Sequence, residues 1–380
     1  ALLKATMTQP FDIDLQTVRS GYDGRTCWVD PWLGITPHSQ TAVMTLQQLE
    51  LAGSDVFFGA CASWSEDRGA TWSEPTAIPA MQRRTEADGL ESCVNDVKPH
   101  WHEASGTVLG IGVRVYYQPG AGAPAHVRGG RAPETAYTTC DMTTRQWREP
   151  RMLQLPASAT HPYAVAGSVQ RWDEVDGSIL LPLSCQRVPE NRVRQTFVAR
   201  CRFDGETLHV DELGNGVGVP EPRGLYEPSL TRVSDRYLLT MRNDETGYVA
   251  VSADGLHFDQ LQPWRFDDGE SLGSYNTQQH WVTHDDRLWL IYTRRGLNND
   301  HVFRHRAPLM IAEVDPRKPA VIRATEQVLV PERGARLGNF GVTHVDDRET
   351  WVSVAEWMQP RGCEKHGSDN AVYLARLRWR

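Results

Sequence analysis

The 380-residue chain has no run of about eighteen apolar residues, so a membrane-spanning helix is not expected. It also lacks an excess of positive charge. Its 40 lysines and arginines stand against 48 aspartates and glutamates, a formal net charge of -8, and this excludes the basic footprint of a general nucleic-acid binder. No CxxC pair occurs. The seven cysteines, Cys27, Cys61, Cys93, Cys140, Cys185, Cys201 and Cys363, are scattered and odd in number, which argues against a disulfide framework or a structural zinc site and for buried free thiols. No polar or Pro/Ser-rich linker divides the chain, so residues 1–380 are expected to form one domain. Residues 1–10 carry no basic-then-apolar leader pattern and read as a mature end from which any signal peptide is already gone. A soluble protein is expected, with the compartment (cytoplasmic, periplasmic or secreted) left open.

What the sequence does contain is one pattern repeated: an alternating apolar strand, a tight polar turn, and a second, more apolar strand ending on a polar or charged residue. Copies span residues 97–116 (VKPHWHEASGTVLGIGVRVY), 167–184 (GSVQRWDEVDGSILLPLS), 227–242 (EPSLTRVSDRYLLTMR), 276–294 (NTQQHWVTHDDRLWLIYTR) and 339–356 (NFGVTHVDDRETWVSVAE), with a looser copy at 41–60. A further strand follows each copy, at 58–72, 136–147, 197–208, 247–258, 308–322 and 371–379. Six hairpins with six outer strands predict an all-β, six-bladed β-propeller of four-stranded antiparallel blades. One such sheet cannot bury both faces alone, whereas radial stacking covers them. Sides and faces of such a ring both associate without a sequence signature, so the oligomeric state stays open.

The outer turns are sharply marked. Ser65-Glu66-Asp67-Arg68-Gly69-Ala70-Thr71-Trp72 carries S-x-D-x-G-x-T-W, Ser252 to Phe258 is a degenerate copy, and Phe203-Asp204-Gly205 is a remnant of a third. Asp and Gly make the turn, the Asp side chain satisfies free backbone N–H groups, and the Trp packs between strands. The octapeptide resembles the Asp-box, or BNR repeat, of sialidase-like (neuraminidase) propellers, and the resemblance implies a ligand pocket on the ring axis.

The segment from Glu227-Pro228-Ser229-Leu230 to Arg242 is similar to the sialidase stretch in which a Glu opens one inner strand and an Arg closes the next. The resemblance implies that Glu227 is a general base and that Arg242 clamps a substrate carboxylate. It places Arg306 (RAPLMIAEVD) as a further clamp and Glu356 as the Glu that steadies an arginine. Two departures stand beside these matches. The first-blade region, Cys27-Trp28-Val29-Asp30-Pro31-Trp32, has no arginine, leaving Arg25 or Arg114 to stand in for the first clamp. Leu337-Gly338-Asn339-Phe340 has no tyrosine where that family keeps its nucleophile, so the tyrosine mechanism does not transfer.

Residues 273–306 crowd amide, histidine and arginine side chains into a short span, including Tyr275, Asn276, Gln279, His280, Tyr292, Arg294, Arg295 and Arg306. Such groups are costly to bury without partners, so a ligand or a tight network is expected there. Asn95-Asp96 before Lys98 offers a general acid or a turn cap. His100 and His102 share a strand face, and His301 and His305 lie four apart. Neither pair has a third ligand at motif spacing, so no metal and no cofactor are expected.

Three functions fit. The first is an exo-acting glycoside hydrolase cleaving a terminal acidic sugar from an oligosaccharide or glycoconjugate. Arg242, Arg306 and Arg294 would hold the carboxylate, and Glu227 would work with Asp96 or Glu356. Arg114, Arg295, Asn276, Gln279 and His102 complete the expected binding set. The second is a polysaccharide lyase acting on uronates, with His280 or His102, Tyr292 or Tyr275, and Arg294 performing β-elimination. The third is a catalytically silent carbohydrate-binding propeller. The first is favoured.

Overall fold

The computed structural model describes residues 9–53, 55–120 and 122–380, with the side chains of 122–124 and 126 excepted; residues 1–8 of the expected mature end lie outside the described residues. The described chain is all-β. Its helical elements are four short 3-10 turns. Among the described residues no helix is long and apolar enough to cross a membrane.

The strands form six antiparallel sheets of four to seven strands, so the expectation of uniform four-stranded sheets does not hold. The first sheet runs outward through Thr26–Ile35, Ala42–Glu50, Cys61–Ser65 and Thr76–Ala77. The second is built on Glu91–His102, Thr107–Gly120 and Glu134–Asp141, and gains short partners at its edges. The third holds Trp172–Asp173 and Tyr163–Val165 beside Ile179–Gln186, then Gln195–Phe203 and Leu208–Leu213. The fourth is Tyr226–Val233, Arg236–Arg242, Tyr248–Ser252 and Asp259–Pro263. The fifth begins His280–His284, Arg287–Tyr292, Leu309–Asp315. The sixth is Phe340–Asp346, Glu349–Ala355 and Val372–Trp379, and its outermost strand, Phe11–Arg19, comes from the other end of the chain.

Five repeat copies coincide with the inner hairpins of sheets two to six. The looser copy at 41–60 is displaced by one strand, because the first sheet opens with Thr26–Ile35. Phe11–Arg19 was not foreseen; it pairs in register with Val372–Trp379, from Phe11 opposite Trp379 to Arg19 opposite Val372.

The inner strands follow one another around an axis in a β-propeller arrangement. Thr26–Ile35 packs on both Glu91–His102 and Phe340–Asp346, and His280–His284 packs on Tyr226–Val233 and Phe340–Asp346. A backbone bridge joins Gln170 to Ser229. The Arg171 guanidinium donates to the carbonyls of Leu109 and His100, tying the third sheet to the second. Each space between neighbouring sheets holds its own apolar cluster, for example Val43, Trp64, Val97 and Val108 between the first two and Leu238, Trp264, Trp281 and Leu290 between the fourth and fifth. Where sheets six and one meet, Leu33, Met44, Trp351 and Leu374 do the same. Strands covered on both faces explain runs such as Ile179–Gln186, where every residue is buried. Each fully buried large side chain contributes about 1.5–3 kcal/mol.

The outer turn at Ser65 to Trp72 is held as its composition demands. Asp67 accepts from the Thr71 hydroxyl at 2.6 Å and the Thr71 N–H at 2.8 Å, Ser65 Oγ accepts from the Gly69 N–H, and Trp72 Nε1 donates to the Gly69 carbonyl. Those donors, the Thr71 hydroxyl first, lower the Asp67 carboxyl to about 2. Asp254 repeats the arrangement with the N–H groups of Leu256 and His257, and Asp204 with those of Glu206 and Thr207. All seven cysteines are free.

Candidate active site

The N-terminal ends of the inner strands open into a cavity of about 1210 Å³ on the ring axis. At this level the strands are irregular. The ladder slips between Val29 and Trp32, between Asn95 and Lys98, and between Tyr226 and Ser229, and the extra residues Asp30, Asp96 and Glu227 adopt left-handed backbone angles, with φ of 50°, 49° and 46°. Ser168 (φ 53°) and Asn276 (φ 51°) do likewise in the third and fifth sheets and line the same cavity. A bulge re-aims the side chain it carries, and left-handed non-glycine residues are strained. Three bulged inner strands, and the segments that lead into the third and fifth sheets, thus carry strain where a polar residue turns toward the axis.

Three carboxylates result. Asp30 accepts from Asn339 Nδ2 at 2.9 Å and from Gln47 Nε2 at 2.6 Å. The same Gln47 accepts the Asp96 N–H through Oε1, so one amide links the two aspartates. Asp96 Oδ2 accepts the Ser168 N–H at 2.5 Å and lies 3.2 Å from Lys98 Nζ, while its Oδ1 is buried with no hydrogen-bond partner. Burial, then the Asp96 charge, pushes the Asp30 carboxyl up; burial also raises Asp96 against the pull of Lys98. Lys98 is lowered by the same burial. Glu227 forms an ion pair with Arg242 Nη1 at 2.7 Å, and Arg242 Nη2 donates to Asn276 Oδ1 at 2.5 Å. Burial disfavours the Arg242 charge, but Glu227 and Tyr226 outweigh it and the guanidinium titrates above its ordinary value. Tyr226 carries the guanidiniums of Arg194, Arg223 and Arg242 around its ring and donates its hydroxyl to Asp244, which also receives a two-pronged bond from Arg223.

Two arginines differ from these. Arg306 and Arg336 are 5 % and 8 % exposed, both line the cavity, and neither has a carboxylate at ion-pair distance among the described residues. Arg306 donates to the Asn276 carbonyl and Arg336 to Gln359 Oε1, and the Nε of each is buried and unbonded. Burial, and then repulsion from Arg242, Arg336 and Arg304, lowers Arg306 well below the usual arginine value; burial brings Arg336 to about 10. An anion in the cavity would relieve both.

Of the residues expected from sequence, Glu227, Asp96, Arg242, Arg306 and Asn276 meet in this cavity. The others lie elsewhere. Glu356 is buried at the end of the sixth sheet, held by Arg333, the Tyr373 hydroxyl and the N–H groups of Asp369 and Ala371. Arg294 and Tyr292 both bind Glu326. Arg295 stacks on Tyr275, whose hydroxyl contacts His305. Gln279 is fixed by Thr240 and Ser274, and His102 by Ser105 and the Gly177 carbonyl. Arg114 sits in the second sheet opposite Glu134, and Arg25 is exposed. Neither lines the cavity.

His280 lies on the axis below the cavity, fully buried between Ser229 Oγ and Gln278, with its ring edge-on to Trp32 and Phe340. Burial, then the Lys98 charge, lowers it to about 3, so it is neutral at ordinary pH. Beneath this plug a second cavity of about 450 Å³, lined by Trp32, His100, Arg171, Trp281 and Thr343 among others, shares no lining residue with the first. Among the described residues no group of three or more His, Cys, Asp or Glu is placed to hold a metal ion.

Asp30, Arg336 and Asn339 were not assigned site roles from sequence. The signal for Asp30 lay in the stretch noted for its missing arginine, where an acid replaces a base on a bulged inner strand.

No family model matches the chain, and no curated protein matches it. Solved structures do. A Dyadobacter fermentans protein of unknown function superposes with a TM-score of 0.67 at 14% identity, over 96% of this chain and 99% of that one. The NanB sialidase of Streptococcus pneumoniae gives 0.65 at 11%, over 97% and 71%. A Hadza microbial sialidase gives 0.60 at 16%, over 94% and 68%. At these identities the likeness establishes the fold: an all-β propeller of the kind found in sialidases, which are glycoside hydrolases.

Proposed function

We propose that the chain is one six-bladed propeller domain, each sheet a blade, acting as an exo-glycosidase on a terminal acidic sugar. The observation that carries this reading is the pair of buried guanidiniums, Arg306 and Arg336, facing the cavity without a carboxylate partner. A sugar carboxylate supplies the missing counter-charge, and Arg242 completes the clamp, with Arg336 in the place that sequence reasoning gave to Arg294. Asp96, whose carboxyl burial raises above its ordinary value, serves as the acid and passes a proton from the unbonded Oδ1 to the glycosidic oxygen. Glu227 faces the positive charge that develops on the sugar and takes a proton from the attacking water as the C–O bond breaks. Asp30, its carboxyl pushed up by burial and by Asp96, adds a hydrogen-bonding wall beside these two groups, held in place by Asn339 where sialidases carry their tyrosine. The cavity shares no lining residue with the second one, so the two do not join into a channel, which favours a chain end over an internal residue.

His280, His102, Tyr292 and Tyr275, the residues assigned to elimination from sequence, lie outside the cavity, and the one tyrosine that lines it, Tyr226, commits its hydroxyl to Asp244, so the geometry favours hydrolysis. A panel of aryl glycosides of acidic sugars and uronate polysaccharides, read for both reducing ends and double bonds, tests the reading. Hydrolysis of a terminal acidic sugar is expected, with Asp96→Asn and Glu227→Gln each lowering kcat about 100- to 10,000-fold. A product with a new double bond, or unchanged turnover in both variants, would overturn it. Sugar binding without turnover in the unmodified protein would favour a lectin.

A further inference from the structure

One side of the cavity extends into a lobe of about 300 Å³, lined by Tyr116, Gly129, Pro133 and five arginines, Arg128, Arg131, Arg192, Arg194 and Arg223, with no carboxylate among the lining residues. The guanidiniums arrive from three sheets. Arg128 and Arg131 come from the edge of the second, Arg192 and Arg194 from the entry to Gln195–Phe203 in the third, and Arg223 from the segment before Tyr226–Val233 in the fourth. Their partners are unequal. Arg223 is neutralised by Asp244 at 2.7 Å, whereas Arg128 reaches Asp55 only at 3.6 Å and Arg131 reaches Glu134 and Asp88 at 3.5 and 3.7 Å. Arg192 and Arg194 have no carboxylate partner among the described residues. Arg194, half-buried over the Tyr226 ring, is lowered by burial.

We infer that this lobe is a second anion subsite, separate from the carboxylate clamp, and that it receives a sulfate or phosphate ester. A carboxylate presents two oxygens in one plane and is satisfied by one or two guanidiniums. A tetrahedral oxyanion presents three free oxygens in different directions, which suits forks converging from three sheets. All five arginines line both the lobe and the main cavity, so the lobe opens directly into it and one ligand can span the two. That a single substrate carries both anions rests on the function proposed above; oxyanion binding by the lobe does not.

The test is calorimetric titration of the intact protein with inorganic sulfate, inorganic phosphate and acetate at low, matched ionic strength, repeated in saturating glucuronate. Sulfate or phosphate is expected to bind at least tenfold more tightly than acetate. Arg192→Met and Arg194→Met should each weaken that binding at least tenfold, and the exposed control Arg202→Met, on an outer strand, less than twofold. Arg192 is exposed and makes no described side-chain hydrogen bond, so its replacement does not threaten folding. Glucose 6-sulfate and glucose 6-phosphate titrated in parallel identify which ester is the ligand. Acetate binding as tightly as sulfate, or sulfate binding that ignores Arg192→Met and Arg194→Met, would overturn the inference. If glucuronate fails to bind while the arginine-dependent sulfate site persists, the acidic-sugar reading falls and the subsite stands.

Discussion

Asp30 and His280 face the same axis at different depths, and burial acts on them with opposite consequences for stability. Asp30 has a folded-state value above that of the unfolded chain, so its contribution is complete below the unfolded value and is lost as pH rises through the elevated one. Asp30→Asn should therefore flatten the decline that the unmodified protein shows between pH 3.8 and about 8 in a urea-denaturation series. His280 is lowered to about 3 from an ordinary 6.5, so its contribution is complete above 6.5 and is lost as pH falls toward 3. His280→Gln should reduce the acid loss over that interval, read by the same unfolding curves. Glu227, Arg242 and Asn276 were legible because they stand at the ends of repeated strands, Asp96 because it immediately precedes one, and Arg306 through the resemblance to a sialidase clamp. Arg294 stands at such an end too, yet pairs with Glu326, thirty-two residues further on. No local pattern announces that pairing. Asp30 escaped because a bulge changes which way a strand residue points without changing the sequence alternation around it.

Among elements, the strand Phe11–Arg19 joins the two ends of the described chain in one sheet. It supplies the outer edge of the sixth sheet, and Phe11, 3 % exposed, sits edge-on between Trp289 of the fifth sheet and Trp379 of the sixth. Phe11→Ala should cost about 3–5 kcal/mol, the usual penalty for emptying a buried phenylalanine site, measured as a shift in the urea midpoint with an unchanged slope. The five inner hairpins were legible because their alternation and turns are local. This strand was not, since its partner lies more than 350 residues away. The strands of two to four residues that enlarge the first, second, third and fifth sheets escaped for a related reason: so few residues carry too little alternation to stand out from a loop.

For the molecule as a whole, the charge that matters is local. The net charge is -8, yet the axial cavity is lined by nine arginines and six carboxylates. A cavity with an excess of cations within low-dielectric walls focuses its field outward, so the association rate of an acidic sugar should fall as salt is raised, in stopped-flow measurements, while that of a neutral sugar stays flat. Composition revealed that a polyanion was the wrong partner, but not that most of the cavity's cations would converge from separate sheets. The recurring left-handed residues bear on how such a protein could be made to survive heat. Ser168 holds that conformation without a side-chain hydrogen bond among the described residues, so Ser168→Gly would release on the order of 1 kcal/mol of strain at little loss. Asp30, Asp96, Glu227 and Asn276 carry the same strain, and there the side chain is the reason for it. A laboratory selection for thermal endurance alone would drift toward glycine around this ring and leave a sturdier, empty vessel.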